Sequence, residues 1–166
     1  MHQITLFCLP HAGGSSAFYG KWKQYFNDEI QIYPLELKGR GRRNREELYS
    51  SFEEAVEDIY SEIQPLLNKP FAILGHSMGG LLSYEVSCKI KQRDSIDPFH
   101  LFISGKGAPN CQSTTRKNMH QLPNIEFSNE VQKLGGTPKE VFQNEMLSNY
   151  FIPLLKADYK IFEEYQ

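Results

Sequence analysis

The sequence predicts an α/β fold: a mostly parallel sheet with helices on both faces. Two observations carry that prediction. Short apolar runs of β-type residues alternate with longer runs in which apolar side chains recur every three or four positions. Between them lie turns built on Gly, Pro and Ser rather than long linkers. The composition agrees, since 166 residues with 40% hydrophobic content suit one domain with its own core.

"ITLFCL" (4–9) is the first strand, ended by Pro10 and the turn-forming "HAGGSS". Residues 16–26 read as a helix, with Phe18, Trp22 and Tyr25 or Phe26 at helical spacing and Ser15 or Ser16 as N-cap. "IQIYPLEL" (30–37) is the second strand, followed by the basic turn "KGRGRR" (38–43). The clearest helix is 50–67. There Ser51 and Glu54 make a capping box, and Phe52, Val56, Ile59 and Ile63 line one face. "FAILG" (71–75) is a buried strand, 78–93 a helix and "FHLFISG" (99–105) a further strand. From about Pro109 the helical runs are broken by Gly135-Gly136, Pro138 and Pro153, and no segment reads as a strand. That stretch, 109–155, is expected to be a helical insertion within a single domain, 1–166.

The chemistry concentrates in "FAILGHSMGG" (71–80). Gly-x-Ser-x-Gly between a buried strand and a helix is the nucleophile elbow of the α/β-hydrolase fold. The turn strains the serine backbone and needs small neighbours, which Gly75 and Gly79 supply. Ser77 is the expected nucleophile. The helix after it aims its N-terminal dipole at the developing negative charge, and Met78 N–H is the expected first oxyanion donor. A second donor belongs to the loop after the first strand, where "PHAGGSS" lies. Gly13 and Gly14 let that backbone fold close, and Ala12 N–H is the candidate.

Together, "LFCLPHAGGSSAFYGKW", "LELKGRGRR", "FAILGHSMGGLLSYEV", "SGKGAP" and "LPNIEFSNEVQKLGGTP" resemble the type II thioesterases that accompany nonribosomal peptide and polyketide synthetases. The likeness spans nearly the whole chain. It implies hydrolysis of aberrant acyl groups from the phosphopantetheine arm of carrier proteins, through a serine acyl-enzyme. It implies no cofactor beyond the 4′-phosphopantetheine that the substrate carries, and it makes 109–155 a lid over the acyl pocket. One departure is Lys38, where the family pattern usually has proline. Arg40, Arg42 and Arg43, with Arg45, are candidate contacts for an acidic carrier protein. Two other readings stay open: a general serine esterase or acyltransferase on the same fold, and a non-catalytic fragment that binds carrier protein.

In this fold the serine is followed in sequence by an acid and then a histidine. Only His100 and His120 follow Ser77. His100 opens an apolar strand and reads as structural, and His120 lies in the proposed lid. His76 reads as packing, and His11 as support for the oxyanion loop. Asp94 and Asp97 precede the 99–105 strand, the end of the sheet away from the chemistry. Asp158 falls in what resembles the family's last lid helix. In the family that the chain resembles, the triad acid and base both come after this point, which implies that they lie beyond Gln166, with the last strands absent and a sheet edge exposed.

The net charge of -2 gives no electrostatic case for nucleic acid or an anionic membrane. Cys8, Cys88 and Cys111 have neither disulfide-framework nor metal-ligand spacing, so no metal is expected and buried free thiols are the default for Cys8 and Cys88. The start "MHQITLFCLP" is too short and lacks the basic leader of a signal peptide. A reducing, cytoplasmic setting is the expectation.

Overall fold

The computed structural model describes residues 3–108 and 118–165. The start of the proposed lid at 109, Cys111 and His2 lie outside the described residues. Four parallel strands, β1 (Ile4–Leu9), β2 (Ile30–Pro34), β3 (Phe71–His76) and β4 (His100–Ser104), form one sheet in the order β2-β1-β3-β4. The helices are α1 (Ala17–Gly20), α2 (Phe52–Ile63), α3 (Met78–Asp94), α4 (Asn124–Lys133), α5 (Lys139–Gln143) and α6 (Glu145–Glu164).

Alternation along β1 divides the core between two faces. Phe7 and Leu9 pack with Ile59, Ile73 and Leu82 on the side of α2 and α3, and Ile161 of α6 joins them. Leu6 and Cys8 pack with Tyr19, Ile32 and Ala72 on the side of α1. Cover thins at the β4 edge, where Phe102 remains 45% exposed. Beside it an apolar hollow of about 450 Å³ opens between Leu6, Trp22, Leu74 and Phe102.

Several local expectations change. Residues 16–26 form one α turn followed by a 3₁₀ turn at Lys21–Tyr25, not a continuous helix. Gly20 interrupts the run at a cost of about 1 kcal/mol relative to Ala. Ser16 does not cap with its side chain; its Oγ donates to Glu36 Oε2 at 2.7 Å instead. At α2, Ser51 Oγ accepts from Glu54 N–H as the capping box requires, but the Glu54 carboxylate reaches past Ser51 to Ser50 N–H and Oγ. Cys8 is buried as expected, whereas Cys88 is exposed.

The described part of 109–155 is helical, and α6 runs through 155 to Glu164. No helix among the described residues is long and apolar enough to cross a membrane.

Candidate functional site

The register of the sheet brings the site together. Leu9 pairs with Gly75, so the loop leaving β1 starts beside the turn that leaves β3. At that turn Ser77 has φ 55° and ψ -117°, a left-handed conformation that a side-chain-bearing residue rarely adopts. The turn is held from both directions: Ser77 N–H donates to Ser104 O at 2.7 Å, and Gly80 N–H to Ser77 O at 2.9 Å. Met78 occupies the first position of α3, among the N–H groups that have no intrahelical acceptor.

The two glycines do different work. A Cβ on Gly75 would stand 2.0 Å from Gly79 O and 2.3 Å from Ser83 Oγ, so this glycine lets the elbow close upon itself. A Cβ on Gly79 would stand 2.4 Å from Leu9 O and 2.5 Å from Pro10 O. That second glycine lets the head of α3 lie against the backbone leading into the His11–Gly14 loop, so Ala12 and Met78 belong to adjoining segments.

The loop and the residues just after it are clamped by groups from α6 and from the segment after β2. Gly13 N–H donates to Asp158 Oδ2 at 2.7 Å, and Gly14 N–H to His11 O at 2.9 Å. Arg40 Nη1 donates to Gly14 O at 3.2 Å and to Asp158 Oδ2 at 2.6 Å, while its Nη2 donates to Asp158 Oδ1 at 2.7 Å. Ser16 N–H and Oγ both donate to the Glu36 carboxylate. Both side chains of the Arg40–Asp158 pair are 2% exposed. Burial opposes the Arg40 charge, yet the hydrogen bonds and charge of Asp158 raise its pKa above the usual guanidinium value.

Arg40 as a carrier-protein contact is therefore corrected: its guanidinium is enclosed by Asp158 and two backbone carbonyls. Arg43 is also committed inward. It is 16% exposed and grips Asp58 and Glu46 with paired hydrogen bonds. Arg42, 58% exposed, reaches Glu62, and Arg45 is exposed. Lys38 uses what proline lacks, because its N–H donates to Tyr49 Oη at 3.2 Å.

The histidines divide as follows. His76 places Nδ1 3.1 Å from Ser104 Oγ and meets the His11 ring edge-on at 5.8 Å. Burial lowers the His11 pKa below its ordinary value, interaction with His76 and Arg40 lowers it too, and Asp158 opposes them. His120 is fixed by Glu163, 2.6 Å from its Nδ1, and exposed His100 packs on Phe102. None of them hydrogen-bonds Ser77 among the described residues.

Sequence reasoning missed Glu36 and Asp158 as members of the site. Both had a signal. Glu36 interrupts the apolar run "YPLEL", and Asp158 falls in the stripe Ile152, Leu155, Asp158, Ile161 on the buried side of α6. A carboxylate in such a position requires a buried partner.

Comparison with known proteins gives a consistent set. Residues 4–166 match the thioesterase domain family. The chain is 38% identical over 164 residues to the gramicidin S biosynthesis protein GrsT of Aneurinibacillus migulanus, covering 99% of this chain and 64% of that protein. It is 34% identical over 164 residues to the medium-chain S-acyl fatty acid synthase thioesterase of Anas platyrhynchos, covering 96% and 64%. The crystal structure of ClbQ from the colibactin NRPS/PKS pathway matches with a TM-score of 0.92 at 39% identity, covering 99% of this chain and 69% of that one. The chain thus spans 64% of the length of these two curated relatives.

Proposed function

The chain belongs to the thioesterase domain family, and from that premise we propose that it carries the nucleophile and oxyanion hole of an editing thioesterase. The substrate class is an acyl group on the phosphopantetheine arm of a carrier protein in nonribosomal peptide or polyketide synthesis. The observation that carries the reading is Ser77, held at φ 55° at the head of α3 beside the His11–Gly14 loop. Names among the relatives support the setting, since GrsT belongs to gramicidin S biosynthesis and ClbQ to an NRPS/PKS pathway. The partner is an acyl or peptidyl carrier protein, and the enzyme works in the cytoplasm with its synthetase.

In the proposed reaction Ser77 Oγ attacks the thioester carbonyl, and the carbonyl oxygen takes up negative charge. Met78 N–H and Ala12 N–H hold that charge, reinforced by the N-terminal dipole of α3. The choice of Ala12 follows from its neighbours: Gly13 and Gly14 N–H groups are already given to Asp158 and His11 O. Collapse of the intermediate breaks the C–S bond, leaving an acyl-Ser77 ester and the pantetheine thiol. Water then releases the acid and restores the serine. A general base accepts the Ser77 proton during attack and returns it to the departing pantetheine thiolate. Among the arginines, Arg42 and Arg45 carry the proposed carrier contact, since Arg40 and Arg43 are engaged within the fold.

The test is Ser77→Ala in the intact gene product that carries these residues, assayed on acyl-carrier protein. Turnover is expected to fall by a factor on the order of 10⁵ or more. Wild-type turnover in that variant would overturn the proposal. Equal efficiency on a simple ester would overturn the carrier-protein assignment and leave a general esterase.

A further inference from the structure

We propose that Arg40 and Asp158 are a positioning pair, which aims the Ala12 N–H and ties the oxyanion loop to the last lid helix. This rests on the oxyanion role given to Ala12 above. The argument starts from peptide planarity. In the trans peptide joining His11 to Ala12, the C=O and the N–H point in opposite directions within one plane. Gly14 N–H donates to that same His11 carbonyl at 2.9 Å, which sets the plane containing Ala12 N–H. The next plane, joining Ala12 to Gly13, is set through Gly13 N–H by Asp158 Oδ2 at 2.7 Å. The Gly13–Gly14 plane is held by that same Gly14 N–H bond, and Arg40 secures the peptide joining Gly14 to Ser15 by donating to Gly14 O at 3.2 Å. The planes on both sides of Ala12 Cα are thus fixed, with the buried ion pair controlling the second.

The pair joins distant parts of the chain. Asp158 lies on α6, and Arg40 lies in the turn after β2, where its Nε also donates to Lys38 O at 3.2 Å. Leu155, one turn before Asp158, packs against Gly13, whose Cβ position would lie 2.5 Å from Leu155 Cδ2. Displacement of α6 therefore moves the acceptor of Gly13 N–H together with the surface that the loop rests on. A buried ion pair is a poor device for stability alone, because apolar residues of similar volume commonly serve as well. Its two-sided carboxylate and forked guanidinium do what apolar residues cannot, which is to hold a backbone N–H and a backbone carbonyl at fixed directions.

The experiment uses the intact gene product and the double variant Arg40→Met/Asp158→Leu, which removes both charges together. Its melting temperature is expected to stay close to wild type, while kcat on acyl-carrier protein falls on the order of 10²-fold and KM holds. Affinity for an acyl trifluoromethyl ketone, whose Ser77 adduct places an oxyanion in the hole, should fall by a similar factor. Affinity for the unreactive thioether analogue should not change. If the double variant does not fold, Asp158→Asn serves in its place: it keeps an acceptor for Gly13 N–H but loses the charge. A smaller kcat loss, with thioether binding retained, is expected there. A folded variant with unchanged kcat and ketone affinity would overturn the proposal, as would parallel losses of ketone and thioether affinity. The parent reading fails separately, if Ser77→Ala remains fully active.

Discussion

Two glycine-bearing turns flank the same loop and answer to different physics. The turn after β3, "GHSMGG", is shaped chiefly by backbone contact: a Cβ on Gly75 would strike Gly79 O and Ser83 Oγ, and one on Gly79 would strike Leu9 O and Pro10 O. The turn after β2, "KGRGRR", is shaped by side chains, with Arg40 turned in to Asp158 and Arg43 turned in to Asp58 and Glu46. The first kind of demand is written in adjacent residues. The second depends on partners elsewhere in the chain, so its basic residues look like a docking patch until the fold is known.

The sharpest way to break this contrast is Gly79→Ala. The added methyl would lie 2.4 Å from Leu9 O and 2.5 Å from Pro10 O, both backbone atoms with little room to yield. A loss of about 3 kcal/mol or more is expected from such overpacking, read as the shift in denaturant midpoint. Turnover should fall as well, because the same contact seats the elbow against the oxyanion loop. A variant with wild-type stability would mean that the close approach is not needed.

The basic turn should respond unevenly, and that unevenness sharpens the comparison. Arg43→Ala removes paired hydrogen bonds to Asp58 and Glu46 and leaves Asp58 with Tyr49 Oη. A loss of about 1 to 2 kcal/mol is expected for this partly buried network, less than a fully buried pair would give. Arg42→Ala, at an exposed pair with Glu62, should change stability by less than about 0.5 kcal/mol. Measured on acyl-carrier protein, however, Arg42→Ala should raise KM and Arg43→Ala should not. The reverse pattern would return the docking role to the buried residues.

Much of the fold was legible because it is local. Strand and helix order, the parallel sheet, Ser77 and its two glycines all follow from runs of a few residues whose period or composition suffices. The helix expected at 16–26 failed because Gly20 and the commitment of Ser16 to Glu36 compete with helix continuation. Arg40 was misread for a different reason. Its partner is 118 positions away, and no local pattern pairs a turn arginine with an aspartate of α6. The apolar stripe around Asp158 announced a buried charge without naming what would neutralise it.

His11 lies where the two turns meet, and it supplies the smallest expected effect. Its ring stands 5.8 Å from that of His76 in the elbow, and it also feels the charges of Arg40 and Asp158. Burial lowers its pKa below 6.5, the His76 and Arg40 charges lower it further, and Asp158 only partly opposes them. The unfolded chain therefore binds the proton more readily than the fold does. Its contribution to stability is complete above pH 6.5 and is lost as pH falls toward the depressed folded value. Wild type should thus melt lower at pH 5 than at pH 8, and His11→Gln should shrink that difference while leaving the high-pH melting temperature nearly unchanged. An undiminished pH dependence in the variant would place the responsible proton elsewhere.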